Sequence, residues 1–283
     1  MTKLNIIPFE QLETANLIID AVYEGGTSGN TGDDPLAKLL KCGNQGGFRY
    51  SGRSGNERYV VLYTSSQNRD WPDYLEVSSG IFIYFGDNRK PGHELHDTPR
   101  GGNSILRRVF HAIHASPQAR RETPPFFVFE KYPLPGRSRS VQFKGLAVPG
   151  VDGVSSTDDL VAIWKSTDGC RFQNYRAMFS VLDIPIVPRE WIVDLDQGVT
   201  ESSYEPPEYR RWVESGRYKP LVALPTQIIR ASEQQTPYNS LQTRILRTVW
   251  ERYREDSRGF EFFAAHLTKL TDERMVVTKI TQA

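Results

Sequence analysis

The chain has 283 residues and a formal net charge of +1, with 38% hydrophobic and 24% charged residues. These values are close to the averages of globular proteins, fit about two domains or one large one, and exclude fibrous and disordered classes. The apolar runs are far shorter than the roughly 18 residues of a membrane span, no secretory signal opens the chain, and two cysteines make no disulfide framework, so a cytoplasmic protein without membrane contact is expected.

The predicted elements begin with a helix over residues 12–23, where apolar side chains recur at helical spacing before a Gly-Gly pair. A loop rich in Gly, Asn and Asp follows over residues 25–47, interrupted by a short helix that starts at Pro35. Runs of β-branched and aromatic residues then predict about six strands. They cover residues 59–64, 80–85, 126–130, 140–148, 160–164 and 176–182.

A further helix is predicted over residues 104–114, with Ser104 as its N-cap. Residues 242–254 and 260–270 predict two amphipathic helices, and residues 275–280 a last strand. Together these elements predict an α+β fold, with a mostly antiparallel sheet and helices outside it. The tryptophans in apolar or helical patterns are predicted to be core residues. These are Trp164, Trp191, Trp212 and Trp250.

The densest polar segment is residues 86–103, GDNRKPGHELHDTPRGGN, which follows an aromatic strand. The carboxylate of Asp87 at the strand end, the rings of Trp71 and Tyr84, and the nearby cations suit a site that stacks and hydrogen-bonds a planar base while binding the phosphates beside it. A net charge near zero permits such a basic face. The alternative is an exposed loop with a solvated run of charges.

A metal site is a second alternative for this segment, because His93, His96 and Asp97 lie close together. However, HELHD does not have the HExxH spacing, and the Pro and Gly just before it argue against the helix that this pattern needs. No metal ligand is therefore predicted.

Six polar blocks are long enough to identify a family. They are YEGGTSGN (23–30), GDDPL (32–36), GNQGGFR (43–49), YFGDNRKPG (84–92), HDTPRGGN (96–103) and RFQNYRA (171–177). Together they resemble the N-terminal recognition half of the AspBHI and MspJI group of modification-dependent restriction endonucleases. The resemblance implies an SRA-like (PUA-like) crescent β-barrel with flanking helices, which flips 5-methylcytosine, or 5-hydroxymethylcytosine in some members, out of methylated double-stranded DNA.

The same resemblance implies a recognition domain over residues 1–235, then a helical linker and the start of an Mrr-like PD-(D/E)xK nuclease domain over residues 236–283. The metal-binding and lysine motifs of that nuclease do not follow, so the chain as given is expected to be non-catalytic and to need no cofactor. Mg²⁺ is expected for cleavage by an intact nuclease domain, and a homo-oligomer for the intact enzyme.

The resemblance implies base flipping, and the residues suggest a pocket for it. Trp71 is predicted to stack on the flipped base, with Tyr84 or His96 near its other face. Asp87 is predicted to accept a hydrogen bond from the exocyclic amine of cytosine, a contact that rejects thymine.

The remaining candidates contact the DNA around that base. Asn44 and Gln45 are predicted to enter the vacated space and bind the orphaned guanine, with Gly46 and Gly47 permitting close approach. Further DNA contacts, mostly to phosphates, are predicted at Arg49, Arg89, Lys90, Arg100, Asn103, Arg137, Arg139 and Arg171.

Two other functions stay open. One is a complete endonuclease with a degenerate upstream site, since Gln142 to Lys144 spells Q-x-K and Pro72-Asp73 spells P-D. The other is a reader of another DNA modification, such as a phosphorothioate, or of structured RNA, which basic loops and aromatic residues would also suit.

Overall fold

Ten strands of the described chain pair into one mixed sheet, and two short strands pair separately. The structure is a computed structural model that describes residues 4–43, 46–222, 248–250, 252–254 and 256–271. The strands are β1 (Ile6–Ile7), β2 (Leu17–Ile18), β3 (Val22–Tyr23), β4 (Phe48–Arg53), β5 (Asn56–Thr64), β6 (Tyr74–Glu76), β7 (Ile81–Phe85), β8 (Phe126–Lys131), β9 (Val141–Pro149), β10 (Leu160–Thr167), β11 (Cys170–Val181) and β12 (Ile186–Val187).

The helices lie between and after these strands. They are α1 (Pro35–Leu39), α2 (Gly102–Ala115), α3 (Pro117–Arg121), α4 (Arg189–Gln197), α5 (Pro207–Ser215) and α6 (Ser257–Thr271), with 3-10 helices at Phe9–Thr14 and Thr31–Asp33. The chain divides into two compact units, Met1–Ala223 and Leu224–Ala283. No helix among the described residues is long and apolar enough to cross a membrane.

The sheet follows the order β4-β5-β8-β9-β11-β7-β6, with β10 beside β11 and β3 between β9 and β1. Only β5 with β8 and β1 with β3 run parallel among the described pairs. The parallel pair β5 and β8 is connected through β6, β7, α2 and α3, as parallel strands require a long crossover. The predicted mostly antiparallel sheet with helices outside it is confirmed.

Strand β7 separates two hydrophobic clusters, because successive side chains of a strand point to opposite faces. Phe82 and Tyr84 belong to the main core, which also takes in the apolar stripe of α2. Ile83 and Phe85 belong to a smaller cluster that contains Trp71. The two rings predicted to sandwich a base, Trp71 and Tyr84, therefore lie in clusters on opposite faces of the sheet.

The predicted helix over residues 12–23 is wrong. A 3-10 helix ends at Thr14, and the segment continues as the short strands β2 and β3. Asp20 between them has a left-handed φ of 60°, and the Tyr23 hydroxyl accepts from Ile18 N and donates to Asn16 O, both at 2.7 Å. Pairing with β12, β1 and β9 supplies the backbone hydrogen bonds that a helix would otherwise make.

Arg189, at the start of α4, joins the N-terminal segment to the rest of the first unit. Its guanidinium donates to the carbonyl oxygens of Leu12, Ala15 and Leu39 at 2.8 to 3.0 Å. Leu12 and Arg189 are 177 residues apart. Arg189 therefore fixes the start of α4 to the N-terminal segment.

In the second unit, α6 confirms the predicted helix over residues 260–270. The predicted domain boundary at 235/236, the strand over 275–280 and part of the helix over 242–254 lie outside the described residues. Trp191 and Trp212 are core residues as predicted, whereas Trp164 and Trp250 are 57% and 68% exposed. The prediction of a core position is therefore wrong for Trp164 and Trp250.

Candidate nucleic-acid interface

The predicted base reader, Asp87, caps helix α2. Its carboxylate accepts from Thr98 Oγ1 at 2.8 Å and from the backbone N–H groups of Gly102 and Asn103 at 2.9 and 3.0 Å. A carboxylate at this end of a helix satisfies free N–H groups and complements the helix dipole. Asp87 thus takes the capping role predicted for Ser104, and its oxygens accept three hydrogen bonds from within the protein.

Three buried asparagines, Asn88, Asn103 and Asn174, fasten the 86–103 loop to the sheet. Asn103 Nδ2 donates to Leu95 O and to Asn174 Oδ1, and its Oδ1 accepts from Asp87 N. Asn174 Nδ2 donates to the carbonyl of Gly86, which follows β7. Asn103 is fully buried, so the structure corrects its predicted role as a DNA contact: it holds the loop.

Trp71 and Tyr84 are both interior residues, 3% and 1% exposed. The Trp71 ring packs against Phe85 and Phe172, with centroids 5.5 and 6.0 Å apart, and its Nε1 donates to Arg89 O. Burial raises the pKa of Tyr84. Because the two rings are enclosed on opposite faces of the sheet, the described arrangement leaves no space between them for a base.

His96 is half-buried, and its Nε2 lies 2.9 Å from the Tyr175 hydroxyl. Partial burial and the charge of Arg107 lower the pKa of His96. Within the described residues, no group of three or more His, Cys, Asp or Glu side chains is placed to hold a metal. His93 and Asp97 are exposed.

An open pocket of about 660 Å³ lies at the carboxyl ends of β5 and β8, and four of its lining residues are cations. Its lining consists of Thr31, Asp34, Leu36, Gly46, Gly47, Arg49, Tyr63, Ser65, Arg89, Lys131, Ser138, Arg139 and Val141. The volume is in the range of pockets that hold small organic ligands, roughly 300–1,000 Å³. The pocket therefore has room for a base with its sugar.

A buried ion pair forms part of this lining. Arg49 Nη1 lies 2.8 Å from Asp34 Oδ2, and both residues are at most 6% exposed. Arg49 also donates to the carbonyls of Gly43 and Gly46, while Asp34 Oδ1 caps α1 by accepting from Leu36 N. The structure corrects the prediction for Arg49. Its guanidinium bonds to Asp34 and to the loop of residues 43–47, called the glycine loop below, and is not free to bind a phosphate.

Gly47 permits the close packing beside this pair. Its carbonyl accepts from Tyr63 N at 2.7 Å, and a Cβ atom here would lie 2.8 Å from Tyr63 O and 3.3 Å from the Tyr84 hydroxyl. Tyr63 itself is half-buried, with its ring 5.7 Å from the Arg49 guanidinium. Sequence reasoning missed Tyr63 because its strand has the apolar pattern of a core element.

Two exposed cations, Lys131 and Arg139, stand at this pocket without a carboxylate partner among the described residues. Arg89 also lines it, but Arg89 Nη2 pairs with Asp73 at 2.9 Å. Of the predicted phosphate contacts, Arg139 thus lines the pocket without a carboxylate partner among the described residues, and Lys131 is a cation of the lining that the sequence analysis did not single out.

The other predicted contacts are dispersed. Arg137 bonds to Gly25 O and lies 3.4 Å from Glu24 Oε2, so it is largely engaged within the protein. Lys90 is exposed, and Arg100 lies against the glycine loop, its Nε 3.0 Å from where a Cβ of Gly46 would be. Arg171 lies on the β10–β11 hairpin. The predicted contacts Asn44 and Gln45 lie outside the described residues.

The residues of the alternative upstream nuclease are held by different partners. Lys144 Nζ lies 3.1 Å from Asp20 Oδ1, and Gln142 donates to Asp20 O. Asp73 is 4% exposed and pairs with Arg89. The structure does not bring the P-D and Q-x-K pieces together as one centre.

The sequence and the fold of the chain are similar to those of known proteins. Residues 17–224 match the family described as restriction endonuclease AspBHI N-terminal. The DNA recognition domain of the cytosine modification-dependent restriction endonuclease LpnPI is 50% identical over 79% of this chain and 98% of its own, with a TM-score of 0.74. The DNA modification-dependent restriction endonuclease AspBHI is 42% identical over 78% of this chain and all of its own, with a TM-score of 0.73.

A third structure, MspJI in complex with a 27-mer oligonucleotide, shares the fold at 20% identity, covering 90% of this chain and 66% of that chain with a TM-score of 0.56. No curated protein matches the chain. The predicted α+β fold is confirmed, and it is the fold of these recognition domains. The chain belongs to the family of the N-terminal recognition domains of AspBHI-type restriction endonucleases.

Proposed function

We propose that the chain binds duplex DNA that carries a methylated cytosine, and that the flipped base enters the pocket at the carboxyl ends of β5 and β8. The observation that carries this proposal is the open basic pocket with Tyr63 in its lining. Support comes from the 50% identity to a domain that recognises DNA for a cytosine modification-dependent restriction endonuclease.

Extruding a base costs a few kcal/mol of unstacking and unpairing, which the pocket must offset. The Tyr63 ring is the aromatic surface of the lining, and stacking of a base on such a ring contributes about 1–3 kcal/mol. Lys131 and Arg139 are placed to bind phosphates beside the extruded nucleotide, which adds affinity without reading sequence. The buried pair of Asp34 and Arg49 keeps the glycine loop in place around the base.

In an intact enzyme, the proposal assigns this chain the recognition of modified DNA. Cleavage there would belong to a nuclease domain that uses Mg²⁺, and copies would associate to cut both strands. The recognition step itself needs no cofactor in this proposal. The cytoplasm is the proposed site of action.

Binding of the full chain to matched duplexes with cytosine, 5-methylcytosine or 5-hydroxymethylcytosine at stated salt tests the proposal. We expect a preference for modified duplexes, which Tyr63→Ala weakens about five- to 150-fold, the equivalent of 1–3 kcal/mol. Tyr63→Phe keeps the ring and should bind almost normally. Arg121→Ala, which removes an exposed cation of α3 outside the pocket lining, is the charge control.

Equal affinity for all three duplexes would contradict recognition of a modified cytosine. A phosphorothioate duplex and a structured RNA in the same assay test the other candidate partners. Equal loss of affinity in Tyr63→Ala and Arg121→Ala would contradict the assignment of the base pocket. Mg²⁺-dependent cutting by the chain that is abolished by Lys144→Ala would instead favour an upstream nuclease.

A further inference from the structure

The hairpin of β10 and β11 carries a surface that the pocket does not use. Its strands pair from Leu160↔Ala177 to Thr167↔Cys170, while β11 pairs with β7 only from Arg176 onward. The outer part of the hairpin is therefore a two-stranded ribbon. Asp168 and Gly169 close it with φ values of 51° and 77°, the positive values that a two-residue type I′ turn requires.

One face of this ribbon is packed against the protein. Phe172 and Ile163 join the cluster around Trp71. Lys165 Nζ lies 2.5 Å from Asp70 Oδ1 and 5.0 Å from the centroid of the Trp71 ring. The ribbon is thus anchored through this face, and its position does not depend on a ligand.

The opposite face is open and carries Trp164, Ser166, Arg171 and Gln173. Trp164 lies directly across from Gln173, and Ser166 across from Arg171, so the four share one face. Trp164 is 57% exposed, and the Arg171 guanidinium carbon lies 4.7 Å from the centroid of its ring. Arg171 gives this face a positive charge, none of the four side chains is acidic, and Ser166, Arg171 and Gln173 can all donate hydrogen bonds.

We propose that this open face enters a groove of the duplex and reads bases that flank the modified cytosine, an inference that rests on the proposed function. A two-stranded ribbon fits the major groove, where Arg recognises the N7 and O6 of guanine and Gln recognises the N6 and N7 of adenine. Arg171 and Gln173 are the readers. Trp164 is a positioning residue, because its ring restricts the guanidinium of Arg171.

The experiment selects preferred sequences from two pools of duplexes with the full chain. Both pools have randomised flanks around a central cytosine, which is 5-methylcytosine in one and unmodified in the other. We expect Arg171→Ala and Gln173→Ala to lose preference at different flanking positions. Binding to the preferred flanks should fall about five- to 150-fold for each, the equivalent of 1–3 kcal/mol.

Two further variants separate reading of bases from binding of charge. Arg171→Lys keeps the charge but loses the planar fork, so it should lose flank preference as Arg171→Ala does. Trp164→Ala should broaden the preference at the position that Arg171 reads. Thermal melting checks each fold, and Arg121→Ala controls for general loss of charge.

Several results would overturn the inference. They are no flank preference in the unaltered chain, an unchanged preference in the Trp164, Arg171 and Gln173 variants, or full preference in Arg171→Lys, which would indicate a phosphate contact. The ratio of affinities between the two pools reports dependence on the modified base separately. A ratio near one in the unaltered chain would contradict the proposed function. Variants of the ribbon that change the flank preference but keep the ratio would show that the ribbon reads bases independently of the pocket.

Discussion

The 86–103 loop and the pocket at the ends of β5 and β8 are both polar and contain glycines and cations, yet they use their polar groups differently. In the loop, Asp87 and Asn103 bond to backbone and side chains of the same chain. At the pocket, Lys131 and Arg139 are exposed and have no carboxylate partner in the described structure. Spare hydrogen-bonding and charge capacity, rather than the density of polar residues, distinguishes a binding surface from a scaffold.

The largest expected effect lies in the loop. Asn103→Ala leaves Asp87 N, Leu95 O and Asn174 Oδ1 without this partner in a buried place, so unfolding should need about 3–5 kcal/mol less free energy. Urea denaturation measures this. Asp97→Ala, an exposed change in the same loop, should have almost no effect on the free energy of unfolding. Equal stability of the two variants would contradict the structural role of Asn103.

Two glycines of the glycine loop, Gly43 and Gly47, test how tightly the pocket is packed. Gly47→Ala places a methyl group 2.8 Å from Tyr63 O, and we expect a loss of about 1–3 kcal/mol in stability together with weaker DNA binding. Gly43→Ala meets its nearest atom, Arg100 Nη1, only at 4.0 Å and should be tolerated. Denaturation and DNA titration of both variants provide the measurement, and a tolerated Gly47→Ala would argue against this tight packing.

Smaller changes are expected from the exposed cations. Lys131→Ala and Arg139→Ala should each lower the slope of log affinity against log salt by roughly 0.9, because each removes one phosphate neutralisation. The preference for modified over unmodified cytosine should stay the same. Titrations at several salt concentrations test this, with Arg121→Ala expected to keep the full slope. An unchanged slope in both pocket variants would place the DNA elsewhere.

The smallest effect concerns pH. Because the pKa of His96 is lowered by partial burial and by Arg107, the folded protein binds fewer protons at this site than the unfolded chain. Its contribution to stability therefore rises with pH up to the ordinary value of about 6.5 and is constant above it. His96→Gln does not titrate and should flatten this rise. Melting temperatures of the unaltered chain and of His96→Gln, from below to above a pH of about 6.5, provide the measurement. Identical pH profiles of the two proteins would contradict a contribution of His96.

Local patterns predicted much of the first unit. The run at 59–64 became β5, the run at 126–130 became β8, and the stripe at 104–114 became α2. The segment at 12–23 failed because its apolar spacing fits a helix, while pairing with strands distant in the chain supplies its backbone partners. Helices α4 and α5 were not among the predicted elements, because each has only nine residues in which an apolar stripe can repeat.

The candidate site was harder to predict than the fold. The sequence indicated a polar loop and its cations, but it does not show that the Asp87 carboxylate accepts hydrogen bonds from the first backbone N–H groups of α2. Tyr63 at the pocket and Trp164 on the ribbon both lie in runs that read as core strands. The Asp168-Gly169 pair was the available signal for the ribbon, since Asp-Gly between two strands favours a type I′ turn.

The contact between Arg189 and Leu12 also orders the events of synthesis. A ribosome adds about 5–20 residues per second, so the 177 residues between the two take about 9–35 s to emerge. During that interval, β2 has neither its partner β12 nor the guanidinium that binds the preceding turn. Residues 12–18 can therefore make these contacts only after Arg189 has been synthesised, so this part of the recognition unit is completed after most of the unit has been translated.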